Sequence, residues 1–225
     1  VDFGDPVGRE RSTVDGAPWL SAIVDSEAMD IIETVPGPGR TVSLSFDDGP
    51  SPAHTPRLLS VLRRFSVPAV FCLIGREVSA HPELVRAIAD DGHPLGNHTM
   101  HHDDLSTWST VEIEADLRAT DAAIRQALPG AAIPYFRAPY GQWGDSPNVA
   151  AALGHAPLGW RLSVADWEPP GTSTLARRIH SGLTPGAVVL LHDGGGDRSQ
   201  TVTAVELVIP RLLAEGWTFT LPARF

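Results

Sequence analysis

The chain has 225 residues and a formal net charge of −10, with 27 acidic residues against 17 basic ones. Every basic residue is an arginine, standing singly or in pairs, which excludes a lysine Schiff base, a GxxxxGK[ST] phosphate loop and a patch that would neutralise nucleic-acid phosphates. The length suits one domain that buries a full core without a disulfide or structural metal. No apolar run approaches the roughly 18 residues of a membrane span. The single cysteine, Cys72, sits in the run Val70-Phe71-Cys72-Leu73-Ile74 and reads as a small buried hydrophobe.

Residues 1–39 mix acidic, proline and glycine residues and end in Pro36-Gly37-Pro38-Gly39. This is an N-terminal arm, with a short helix expected near 20–33, that lies on the barrel's outer wall or reaches toward a partner. A chain opening at Val1 without methionine is expected to be a trimmed or mature form; a removed leader would favour a secreted or cell-envelope location over a cytoplasmic one. The working domain is expected over 40–225. Strands are predicted at 41–46, 69–74, 94–97, 133–137, 157–164, 187–191 and 217–221, alternating with helices at 55–65, 82–91, 110–128, 146–153, 172–182 and 202–215.

Continuous apolar strands separated by helices predict parallel pairing with both faces covered, as in an α/β barrel or an open sheet. The barrel is favoured by where the polar residues fall. Asp47-Asp48, His98, Arg137, Asp166 and His192-Asp193 each stand at the carboxyl end of a different strand, which is where such barrels carry their chemistry.

The strand-end acids Asp47 and Asp48 point in different directions, so one can bind a metal while the other faces a water. In Asn97-His98-Thr99-Met100-His101-His102, the i and i+4 imidazoles share a face if the segment is helical or tightly turned, making His98 and His102 the better pair and turning His101 elsewhere. With one aspartate they form a two-histidine, one-carboxylate set that keeps coordination positions open; the donor types suit zinc, cobalt, iron, nickel or manganese alike. Arg137 in a ring of acids would pair with a carboxylate. His192, following Val188-Val189-Leu190-Leu191, would be partly buried and able to give a proton to a leaving group. No G-x-S-x-G elbow is present, so a serine hydrolase is excluded.

These marks resemble the NodB-homology polysaccharide deacetylases of carbohydrate esterase family 4. The resemblance rests on Phe46-Asp47-Asp48-Gly49-Pro50, Asn97-His98-Thr99-x-x-His102, Arg137-x-Pro139-Tyr140-Gly141, Asp166-Trp167 and Leu191-His192-Asp193, over roughly residues 40–225. It implies a distorted, TIM-like (β/α) barrel of about seven strands that removes acetyl groups from sugars. By the same resemblance, Asp48, His98 and His102 would hold one divalent metal, zinc first with cobalt, nickel or manganese as alternatives. Asp47 would be the base, Arg137 its orienting partner, His192 the acid and Asp166 its support, and the Tyr140 backbone N–H would stabilise the oxyanion. Tyr140, Trp143, Trp167 and Leu191 are the expected substrate-binding residues, with Trp108 as a further candidate stacking platform.

The expected substrate is an N-acetylated amino sugar in a chitin- or peptidoglycan-type glycan, handled by a monomer. Acetylated xylan, a small glycosylated metabolite, and a catalytically silent glycan-binding module are the alternatives. Two positions depart from the family pattern: Ser163 replaces an aspartate, which could alter the support of Arg137 or His192, and Val189 replaces a leucine, which could reshape the acetyl pocket.

Overall fold

The structure, a computed structural model, describes residues 30–223. Its strands are β1 (Thr41–Gly49), β2 (Ala69–Leu73), β3 (Leu95–Asn97), β4 (Tyr135–Phe136), β5 (Ala156–Pro157), β6 (Leu162–Ser163), β7 (Ala187–His192) and β8 (Thr218–Phe219). Its helices are α1 (Thr55–Phe65), α2 (Gly75–Ala80), α3 (Pro82–Asp90), α4 (Thr110–Ala127), α5 (Ser146–Ala152), α6 (Thr172–Gly182) and α7 (Ser199–Ala214). The strands run parallel in the order β5-β4-β3-β2-β1-β7-β6, and β8 joins the start of β1. The sheet curls into the expected distorted barrel.

Period-two alternation divides the strands between two apolar clusters. Leu44 and Phe46 of β1, Phe71 and Leu73 of β2, and Val189 and Leu191 of β7 pack outward against the helices. Val70, Cys72, Tyr135 and Val188 form the second cluster on the opposite face of the sheet, the barrel interior. Cys72 is buried there as expected, and burial pushes its thiol well above the usual range.

Three elements differ from the sequence expectation. The strand predicted at 157–164 is two strands: β5 pairs with β4, β6 pairs with β7, and residues 158–161 cross from one rim of the sheet to the other. The segment still carries Leu158, Trp160 and Leu162 among its polar residues, so its apolar content does not mark where one strand ends and the next begins. Helix α2, too short to show a period, was not expected. The part of the helix predicted at 20–33 that falls before residue 30 lies outside the described residues; beyond it the chain is extended, and Ile32 and Thr34 form bridges to Leu158 and Ala187. Ile32 and Val35 are buried in the interior cluster. The end of the arm therefore fills the gap between β5 and β7 rather than lying on the outer wall, and the barrel begins before residue 40.

Helix α4 starts with a capping box: Ser109 N–H donates to Glu112 Oε2 at 2.8 Å and Glu112 N–H to Ser109 Oγ at 3.4 Å. The helix is thereby fixed in register beside β3, where the candidate ligand segment begins.

Candidate active site

The ends of β1, β3 and β7 deliver polar side chains into one cavity of about 590 Å³, whose lining includes Asp47, Asp48, His98, His102, Tyr140 and His192, while Arg137 and Asp166 lie buried behind it. Asp48, His98 and His102 place one ligand atom each within 4.8 Å of one another. The His98 Nε2 and His102 Nε2 lie 3.4 and 3.2 Å from Asp48 Oδ1, a buried oxygen that receives no well-formed hydrogen bond. A buried carboxylate oxygen faced by two imidazole nitrogens fits a shared divalent cation of the zinc class. His98 Nδ1 donates to the Arg137 carbonyl at 2.8 Å, which directs the Nε2 lone pair into the cluster. His101 is exposed and stands outside the group.

The backbone here is shaped for this purpose. Asp48, Thr99 and His102 adopt φ of 70°, 65° and 64°, a region non-glycine residues visit only when held there. On the facing loop, Gly194 and Gly195 press on the Asp48 backbone and carboxylate so closely that any Cβ would collide. Arg198, absent from the sequence reading, secures that loop by donating to the carbonyls of Gly194 at 2.7 Å and Gly195 at 3.0 Å.

Beside the cluster, Asp47 is buried and accepts from Arg137 Nη1 at 2.7 Å. The guanidinium, fully enclosed, also donates from Nε to Leu158 O and from Nη2 to Gly159 O, and it sits over the Trp160 ring. The chain that crosses between β5 and β6 thus supplies both carbonyls that fix Arg137 beside Asp47. Across the cavity, His192 Nδ1 lies 2.8 Å from Asp166 Oδ1, while Asp166 Oδ2 accepts from the His192 N–H and from Thr201 Oγ1, each at 2.9 Å. Thr201, in the first turn of α7, carries no motif that would mark it in the sequence.

Electrostatics separate these groups. Burial alone would raise Asp48, but His98, with His192 and His102, holds it well below the usual carboxylate range. Burial lowers His192, yet the hydrogen bond and charge of Asp166 outweigh it, leaving the imidazole raised above 6.5. Asp193 is pushed up to about 7 by burial and by the charges of Asp48 and Asp47, against the Thr55 hydroxyl that donates to it.

The expected substrate-binding residues divide. Tyr140, 69% exposed, stands edge-on to His102, and Trp167, 46% exposed, stands edge-on to His192, so both line the cavity. Trp143 does not; it packs on Phe136 in a satellite cluster, together with Trp108. Leu191 is likewise corrected. Alternation along β7 turns it outward into the core, and Leu190 lines the cavity instead. Trp160 was also missed, although it forms part of the wall. Val189 lies in the outer core, so its departure from the family pattern does not touch the cavity. Ser163 is exposed and is no partner of Arg137 or His192, which are held by other groups.

The family model for polysaccharide deacetylase matches residues 34–158. The chain belongs to this family, carbohydrate esterase family 4. It is 37% identical over 203 residues to a chitooligosaccharide deacetylase of Sinorhizobium fredii, covering 84% of this chain and 94% of that one. It is 34% identical over 192 residues to a peptidoglycan-N-acetylglucosamine deacetylase of Bacillus cereus, covering 82% and 87%. Among solved structures of the family, a pseudoenzyme from Bacillus anthracis superposes with a TM-score of 0.78 at 27% identity, covering 84% of this chain and 66% of that one.

Proposed function

We propose that this chain is a metal-dependent deacetylase that hydrolyses N-acetyl groups on amino sugars of a chitooligosaccharide- or peptidoglycan-type glycan. The observation that carries the reading is the placement of two differently supported proton carriers in one cavity. Asp47, held by Arg137, and His192, held by Asp166, both line the space around Asp48, His98 and His102. Relatives named for chitooligosaccharides and for peptidoglycan N-acetylglucosamine support the substrate class.

When bound by Asp48, His98 and His102, a divalent metal supplies Lewis-acid polarisation of the acetyl carbonyl and eases deprotonation of a water. Asp47 accepts the proton of the attacking water, with Arg137 holding one carboxylate oxygen so that the other faces the cluster. The water oxygen bonds to the carbonyl carbon, and the Tyr140 N–H, turned by a φ of 58°, is the candidate donor to the oxyanion. His192 then gives its proton to the sugar nitrogen as the carbon–nitrogen bond breaks, because an amine leaves only once protonated. The products are acetate and the free amine. Tyr140 and Trp167 flank the mouth as faces on which sugar rings can stack.

Likeness to a pseudoenzyme keeps a silent glycan-binding module as the rival, and the complete reacting set weighs against it. The test is acetate release from N-acetylglucosamine oligomers, peptidoglycan fragments and acetylated xylan, using protein stripped by a chelator and then resupplied with zinc, cobalt, nickel or manganese. Metal-restored release from the N-acetylated substrates is expected. Release from xylan alone would make it an O-deacetylase, and silence throughout would leave the binding module.

A further inference from the structure

Behind the ligand segment lies a buried polar network in which Asp121, Arg125 and His155 belong to none of the motifs above. Asn97, fully buried at the end of β3, donates from Nδ2 to Leu117 O at 2.8 Å and to Asp121 Oδ1 at 3.0 Å, both on α4. Its Oδ1 accepts the Thr99 N–H at 3.0 Å, and Thr99 Oγ1 accepts the His102 N–H at 2.9 Å. Asp121 is buried in turn, with Oδ2 3.2 Å from His155 Nε2 and 3.1 Å from Arg125 Nη1. His155 is anchored through Nδ1, 2.6 Å from the Ile133 carbonyl.

The amide of Asn97 can satisfy these partners in one orientation only, with nitrogen toward α4 and oxygen toward Thr99. That orientation supports the left-handed turn at Thr99 that brings His98 and His102 onto one side. We propose that Asp121 is a positioning residue for the ligand cluster: from α4 it fixes the Asn97 amide, and through Thr99 it sets the spacing of His98 and His102. This rests on the reading of Asp48, His98 and His102 as metal ligands. A carboxylate buried in a helix interior is costly to desolvate, and its placement on the one amide that braces the ligand turn gives it a use beyond pairing with His155.

The experiment is zinc affinity by chelator competition on the purified full chain, with the cobalt(II) absorption spectrum as a reporter of ligand geometry. Partners behind metal ligands typically contribute 10–100-fold in affinity. Asp121→Ala is expected to weaken zinc about tenfold and to alter the cobalt spectrum. Asp121→Asn, which can still accept from Asn97, restores both. His155→Phe lowers the melting temperature and leaves zinc affinity within about twofold, since Arg125 and Asn97 still hold Asp121.

If Asp121→Ala does not fold, the double change Asp121→Val with His155→Phe exchanges the buried pair for apolar side chains and must show the same weakening. Folded Asp121→Ala with wild-type zinc affinity overturns the proposal. So does a loss in His155→Phe equal to that in Asp121→Ala, which would make the network a matter of stability alone. Wild-type protein that binds no zinc or cobalt overturns this proposal and the functional reading together. Wild-type protein that binds metal without releasing acetate removes only the substrate reading.

Discussion

Two histidines, His98 buried and His192 partly so, face the same cavity from opposite sides, and they differ in what holds their Nδ1. His98 is held by a backbone carbonyl, His192 by the Asp166 carboxylate. A carbonyl fixes the tautomer and orientation of a ring while adding no full charge, so the other nitrogen keeps a lone pair suited to a metal. A carboxylate adds a charge that favours the imidazolium, so the other nitrogen keeps a proton to give away. On the proposed reading, one side chain serves as ligand or acid according to the group behind it. His98 is also raised: burial lowers it, and the Asp47 and Asp48 charges prevail. A proton there competes with the cation, so metal affinity should fall as the pH drops.

The largest effects should come from breaking the two sides separately. Asp47→Asn is expected to keep metal content while turnover falls by about 10²–10⁴-fold, whereas His98→Ala loses both. Metal analysis beside acetate release distinguishes them, and retained turnover in Asp47→Asn would remove it as the base. A smaller effect tests the acid. Because His192 is raised above 6.5, its protonated form, and the activity that needs it, persist above that value and decline as the pH rises through the raised value. Asp166→Asn removes the charge that raises it, so the alkaline limb of the pH–rate profile should move to lower pH, with a loss of about tenfold or more on the alkaline side. An unmoved limb would mean that another group carries the proton.

The residues of the candidate site were legible in the sequence because each stands at or just after a strand end, within a short local pattern that survives without the fold. His98 and His102 meet as their spacing implied, and Asp48 joins them as the family resemblance implied. What holds them was not legible. Thr201, Trp160 and Asp121 reach the site across long sequence separations, Arg198 acts within its own loop, and each alone looks like an ordinary helix or loop residue. Leu191 was misassigned for a different reason: a fully apolar strand does not announce which face is inward, and only the register of β7 on β1, pairing Asp47 with His192, decides it. The barrel was legible from the alternation of elements, while the crossing at 158–161 and the closing role of Ile32 to Thr34 depend on which rims are left open by the other strands.

The smallest effect concerns a third histidine, which shows what burial does alone. His93 stacks on Phe71, and among the described residues neither ring nitrogen has a hydrogen-bond partner. Burial lowers it below 6.5. A histidine lowered in the folded state binds its proton more readily when unfolded, so it costs stability as the pH falls from 6.5 toward its native value. His93→Leu should therefore stabilise the fold by about 1 kcal/mol, more at pH 5 than at pH 8, as read by thermal melting at both. A loss of stability at both pH values would mean that the ring nitrogens are bound, and His93 would cease to be the unpartnered reference against which His98 and His192 are judged.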